Sequence, residues 1–206
     1  WVNQALPWVL AGTGILGLGI MMGGYWAYEM LGWGGYWAWD PVENSSLIPW
    51  IIGVASIHTM LVQKRSLKTT DGIGRYAKTN LILSILTYVL VLYSTFLTRS
   101  GVLGDASVHS FVDPGNLVYF FLLIFISTFI AIGIGGIAYR WKYLEDKTVY
   151  EESNLSRELA LFTAAIILVA SAIIVLVGTS APLFGQSVDT FFYDEMHLPI
   201  GVIIGL

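Results

Sequence analysis

Trp33-Gly34-Gly35-Tyr36-Trp37-Ala38-Trp39-Asp40-Pro41-Val42-Glu43-Asn44 is the stretch on which the reading of the whole chain turns. Residues 32–50 hold four of the eight tryptophans: Trp33, Trp37, Trp39 and Trp50. The stretch is too polar and too rich in Gly and Pro to cross a bilayer, and apolar runs flank it on both sides. The aromatics admit two readings. Trp and Tyr gather at membrane interfaces as anchors without binding anything. Indole rings also offer rigid apolar faces with one donor each, and glycines let the backbone approach closely, which suits a flat apolar ligand with a charged edge. Asp40-Pro41-Val42-Glu43 has a purely structural meaning as well: an N-cap, Pro at the first helical position and an acid at the third, together a capping box.

Outward from this stretch, composition sets the class. The chain is 56% hydrophobic and 12% charged, half the ~25% charge of ordinary soluble domains. Without cysteine it has no disulfide, thiolate metal site or redox dithiol of its own. The expectation is an all-α, polytopic membrane helix bundle of about six spans. They fall roughly at residues 8–28, 47–63, 79–97, 117–139 and 159–179, with a sixth starting near Leu198. Residues 41–63 can alternatively form one helix kinked at Pro49. The chain, opening on Trp1 and stopping inside an apolar run, reads as a piece of a longer or split protein. Gly12-Thr13-Gly14-Ile15-Leu16-Gly17 matches the dinucleotide fingerprint formally, but no strand precedes it and no βαβ unit follows. Gly12, Gly19 and Gly23 are expected instead to permit close helix packing.

Nine of the ten basic residues lie in loops 64–78 and 140–158, on one side of an alternately crossed membrane, and the tenth is Arg99. The positive-inside rule makes that side cytoplasmic. The aromatic segment, the His109 loop over residues 98–116 and loop 180–197 then face outward.

The aromatic stretch resembles the "WWD" signature of haem-handling membrane proteins of cytochrome c maturation. Its Pro-Val-Glu-Asn ending resembles the CcmF haem lyase branch rather than the CcsA-type synthases. The run from Phe96-Leu97-Thr98-Arg99-Ser100-Gly101-Val102 to Val108-His109-Ser110-Phe111 is similar to a second signature of that family. The resemblance implies a cytochrome c haem lyase in a bacterial or organellar inner membrane. Its partners would be a CcmE-type haem chaperone, a CcmH-type subunit and apocytochrome c. It also implies a shelf of Trp33, Tyr36, Trp37, Trp39 and Asp40 under the transferred haem.

Each polar candidate carries two readings. His58, inside a span, is either a neutral imidazole donating to a neighbouring helix carbonyl or an axial ligand of a haem held between helices. The resemblance implies the latter, a b-type haem iron whose second ligand lies beyond Leu206. His109 is a surface loop residue or, by resemblance, one ligand of the transferred haem iron. Its counterpart would precede the WWD segment by more than this chain provides. Arg99 either snorkels at the end of its span or binds a haem propionate. His197 reads as an interface residue. No residue stands out as a general acid. The competing function classes are a haem transport component that makes no covalent bond and a structural subunit with an aromatic belt.

Overall fold

The computed structural model describes residues 1–32, 35–68, 72–145, 156–186 and 188–196. Five long helices account for most of it: α1 (Val2–Met30), α2 (Pro41–Ser66), α3 (Ala77–Arg99), α4 (Asn116–Arg140) and α5 (Arg157–Ser180). A short 3₁₀ turn, Ala181–Phe184, and helical turns at 190–196 follow. Among the described residues there is no strand, and all five helices are long and apolar enough to cross a membrane. The chain is thus an integral membrane helix bundle, as its hydropathy predicts. The sixth run, from Leu198, lies outside the described residues, as does His197.

α2 is the hub. It buries 61% of its most apolar window, against 6–22% for the other four helices. It packs on α5, α3 and α1, while α4 joins the bundle by packing on α3. Its sequence explains this, because small residues let neighbours approach where lipid supplies no hydrophobic drive. A Cβ at Gly53 would sit 2.8 Å from the Thr13 hydroxyl of α1. Serines bridge α2 to α3, Ser45 to Ser94 at 2.8 Å and Ser56 to Ser84 at 3.2 Å. Deeper, Asn80 Nδ2 donates to Gln63 Oε1 at 2.8 Å, and Gln63 Nε2 donates to the Ile73 carbonyl at 2.8 Å. The two NH2 groups paired this way escape the desolvation cost of an unmade bond.

Of the two readings of residues 41–63, the single helix holds: Pro49 lies inside α2, which begins at Pro41. One sequence expectation changes. Among the described residues Gly12, Gly19 and Gly23 meet no neighbour: a Cβ at any of them would find nothing within 4 Å. The glycines that admit partners are Gly17, against the Trp50 indole, and Gly24, against the Tyr36 carbonyl. Sequence spacing names small residues on a helix but not the face that a partner occupies.

The two basic loops meet at one end of the bundle. Glu158 accepts from Arg75 at 3.2 Å and lies 3.6 Å from Arg65. Tyr76 stacks on Phe162 at 4.5 Å. The aromatic segment, the His109 loop and residues 188–196 gather at the opposite end.

Candidate functional site at the aromatic end

Asp40 builds the site. As N-cap of α2 its Oδ1 accepts from Val42 N at 3.0 Å, with Pro41 at the first helical position. The same oxygen accepts from Ser107 Oγ at 2.7 Å and faces His109 Nδ1 at 3.1 Å. Ser107 Oγ in turn accepts from His109 N at 3.1 Å. A helix cap and a loop histidine are thereby joined across nearly seventy residues of chain. The loop is rigidly seated. Leu103 is fully buried against Phe96 and Leu97, and Phe111 N donates to the Thr98 carbonyl at 3.0 Å. Gly101 takes φ +78°, where a side chain would also collide with the Asp113 backbone.

The Asp40 carboxylate holds the His109 ring at Nδ1 and so sets its orientation. His109 lines a groove of about 510 Å³ between α1, α2 and α3, within the usual ~300–1,000 Å³ of small-molecule sites. Trp37 and Trp26 form aromatic walls, and the Trp26 ring lies 6.1 Å from the His109 ring. Ile15, Leu16, Ile20 and Val42 make the rest largely apolar, while Ser46, Ser94 and Thr98 add hydroxyls. Among the described residues Glu43 is the one carboxylate on the groove wall, its Oε2 accepting from Ala38 N at 3.1 Å. Gly19 and Gly23 also line it, so their missing side chains keep the groove open.

The expected residues do not all converge here. Trp37, Asp40 and His109 do. Trp39 turns away at φ 56°, a left-handed conformation unusual for a bulky residue. Asn44 Nδ2 holds its carbonyl at 2.8 Å, its indole N–H donates to Asp194 Oδ1 at 3.0 Å, and its ring stacks on Tyr193 at 4.8 Å. Burial holds the Tyr193 phenol above its ordinary range, while hydrogen bonding toward Thr179 and Asn44 acts the other way. Tyr36 stacks on Tyr28 at 4.6 Å, outside the groove, and Arg99 is exposed with its guanidinium over Phe111 at 5.1 Å. Trp33 lies outside the described residues. Sequence reasoning missed Trp26; its signal was the aromatic cluster Tyr25, Trp26 and Tyr28 at the end of the first span.

His58 stands apart, roughly 27 Å along α2 from Asp40 at 1.5 Å per residue. Its Nδ1 bonds the Val54 carbonyl of its own helix at 2.8 Å. A carbonyl only accepts, so Nδ1 is the donor in this bond. Among the described residues, no group of three or more His, Asp or Glu side chains could hold a bare metal ion.

The sequence profile described as cytochrome C assembly protein matches residues 1–103, which run through α1, α2 and α3. The chain belongs to that family. It is 36% identical to the cytochrome c-type biogenesis protein CcmF of Haemophilus influenzae, covering 100% of this chain and 32% of that protein. To the CcmF of Escherichia coli it is 41% identical over 97% of this chain and 31% of the relative. To the cytochrome c-type biogenesis protein CycK of Bradyrhizobium diazoefficiens it is 39% identical, over 99% and 30% respectively. The chain therefore spans about a third of the length of the curated relatives it matches. No solved structure matches it.

Proposed function

We propose that this chain is the haem-handling part of a cytochrome c haem lyase. It holds a substrate haem in the groove between α1, α2 and α3 while an apocytochrome c is joined to it. The observation that carries this reading is a histidine held by a carboxylate, His109 on Asp40, in the wall of an aromatic-sided groove. Imidazole is a standard haem iron ligand, and a carboxylate at Nδ1 orients the ring for that role. Trp26 and Trp37 suit the faces of a porphyrin, and His109 lies in the wall of the same groove.

The chemistry asks for positioning more than for a strong acid or base. Each substrate cysteine S–H adds across one haem vinyl. The sulfur bonds the inner vinyl carbon and the hydrogen goes to the terminal one, so no oxidant or reductant is consumed. Holding vinyl and thiol in reacting geometry can contribute ~7–11 kcal/mol of the barrier. The absence of cysteine from this chain fits, since the thiols belong to the substrate.

A haem b at His58 is part of the same reading. His58 would hold that haem through its ring, oriented by the Val54 bond, and a bound haem b would supply an electron store for keeping the transferred iron reduced. The basic end faces the cytoplasm and the groove faces the outer side of a bacterial or organellar inner membrane, following the positive-inside rule. A CcmE-type chaperone would deliver haem there, and a CcmH-type subunit would present the apocytochrome.

The test is co-expression with an apocytochrome c and haem staining of the denatured product. Covalent haem that disappears with His109→Ala supports a lyase. Haem bound to the chain without covalent product points instead to a haem-presenting transport component, and no haem at all sinks both readings.

A further inference from the structure

At the opposite end of the bundle, the last turns of α2 and the first turn of α5 enclose a cleft of about 170 Å³. We propose that this cleft binds one anionic phospholipid, its phosphate held by Lys64, Lys68 and Arg157 and its acyl chains lying along Leu61 and Leu161.

Charge is the first argument. Four cations, Lys64, Arg65, Lys68 and Arg157, line the cleft against one carboxylate, Glu158. That carboxylate is already shared between Arg65 at 3.6 Å and Arg75 at 3.2 Å. Among the described residues, no acid lies within salt-bridge distance of Lys64, Lys68 or Arg157.

Helix dipoles account for only part of this cluster. Cations in the last turn of α2 complement its negative end, which explains Lys64 and Arg65 without a ligand. Arg157 is the reverse case. It opens α5, where the dipole is positive and a cation is disfavoured. An anion beside Arg157 resolves this, since it pairs with the guanidinium and itself sits favourably at the N-terminus of α5.

The apolar wall selects a lipid over a free phosphate. Leu61 lies one turn deeper than Arg65 on the same face of α2 and is 37% exposed, and Leu161 holds the matching position one turn into α5. A headgroup at the cations therefore places its chains along membrane-spanning helices. Basic pockets between spans are a recognised mode of anionic-lipid binding.

Native mass spectrometry of the detergent-purified chain tests this with three probes: dioleoyl-phosphatidylglycerol, dioleoyl-phosphatidylcholine and inorganic phosphate. The expected result is a phosphatidylglycerol adduct retained at a concentration at least tenfold below that for phosphatidylcholine, and undisturbed by millimolar phosphate. The exposed triple variant Lys64→Gln/Lys68→Gln/Arg157→Gln should lose that preference, each cation contributing about fivefold. The control Arg140→Gln/Lys142→Gln, outside the cleft, should keep it. Equal retention of both lipids, a preference that survives the triple variant, or displacement of the lipid by phosphate would each overturn the proposal.

Discussion

Trp37 and Trp39 stand two residues apart in one motif and do opposite jobs. Trp37 lines the open groove with His109, whereas Trp39 is clamped between the Tyr193 ring and Asp194 on the α5 side. Their rings meet edge-on at 90°. The difference comes from the backbone. Residues two apart in an extended segment point the same way, but the positive φ at Trp39 breaks that pattern and sends its indole across α2. Such a conformation costs about 1–3 kcal/mol and persists only where surroundings over-determine it. Here they do, through the Asn44 amide, the Asp194 carboxylate and the Tyr193 stack. An aromatic motif is therefore not one surface; half of it can be ligand wall and half a structural staple.

The sharpest way to break this comparison is Trp39→Ala. It should lower stability in detergent by about 2–4 kcal/mol, somewhat less than a fully buried Trp, because the ring is partly exposed. Trp37→Ala should cost under about 1 kcal/mol and weaken haem binding instead. Thermal unfolding beside haem titration separates the two, and equal stability losses would dissolve the distinction.

Asp40→Asn comes next. Asn caps a helix as well as Asp, so α2 should be unharmed. The carboxylate behind His109 is lost, and haem affinity should fall about 10–100-fold, as for other metal-supporting outer partners. Unchanged affinity would mean that Asp40 is a cap and no more.

Tyr193→Phe probes the staple from its far side and should cost about 1 kcal/mol through its lost hydrogen bonding. The pH dependence carries a sign. The folded phenol titrates above its ordinary ~10, so its contribution is complete below pH 10 and disappears as pH rises through the folded value. Unfolding curves at alkaline pH should show that decline in the unaltered protein and a smaller one in Tyr193→Phe.

The smallest stability effect belongs to Gly19→Leu. A Cβ there meets nothing within 4 Å and Leu favours helix over Gly, so stability should hold or rise by up to about 0.8 kcal/mol. Haem binding should nonetheless fall several-fold as the groove fills. The contrasting Gly17→Leu drives into the Trp50 indole and should cost about 1–3 kcal/mol.

Much of this architecture was legible in the sequence because the forces that build it are local. Hydropathy runs mark all five helices, and Asp40-Pro41 marks the start of α2 through capping chemistry. The meeting of the two basic loops follows from counting spans. What was not legible depends on distant partners. The facing of Trp39 is settled by Asp194, which lies 155 residues away, and the groove wall at Trp26 by how α1 leans on α2. The open glycines of α1 look like packing glycines until the face each one presents is known. The resemblance pointed to His109, but its link to Asp40 needed the loop of residues 100–115 to fold back onto α2.

The most direct test of the groove as a haem site is optical. Haem is added to the detergent-purified His58→Ala protein, so that only the groove is read, and to His58→Ala/His109→Ala beside it. The account predicts a ligand-shifted haem absorption band in the first and none in the second. The same band in both would place the haem elsewhere and contradict the assignment of His109.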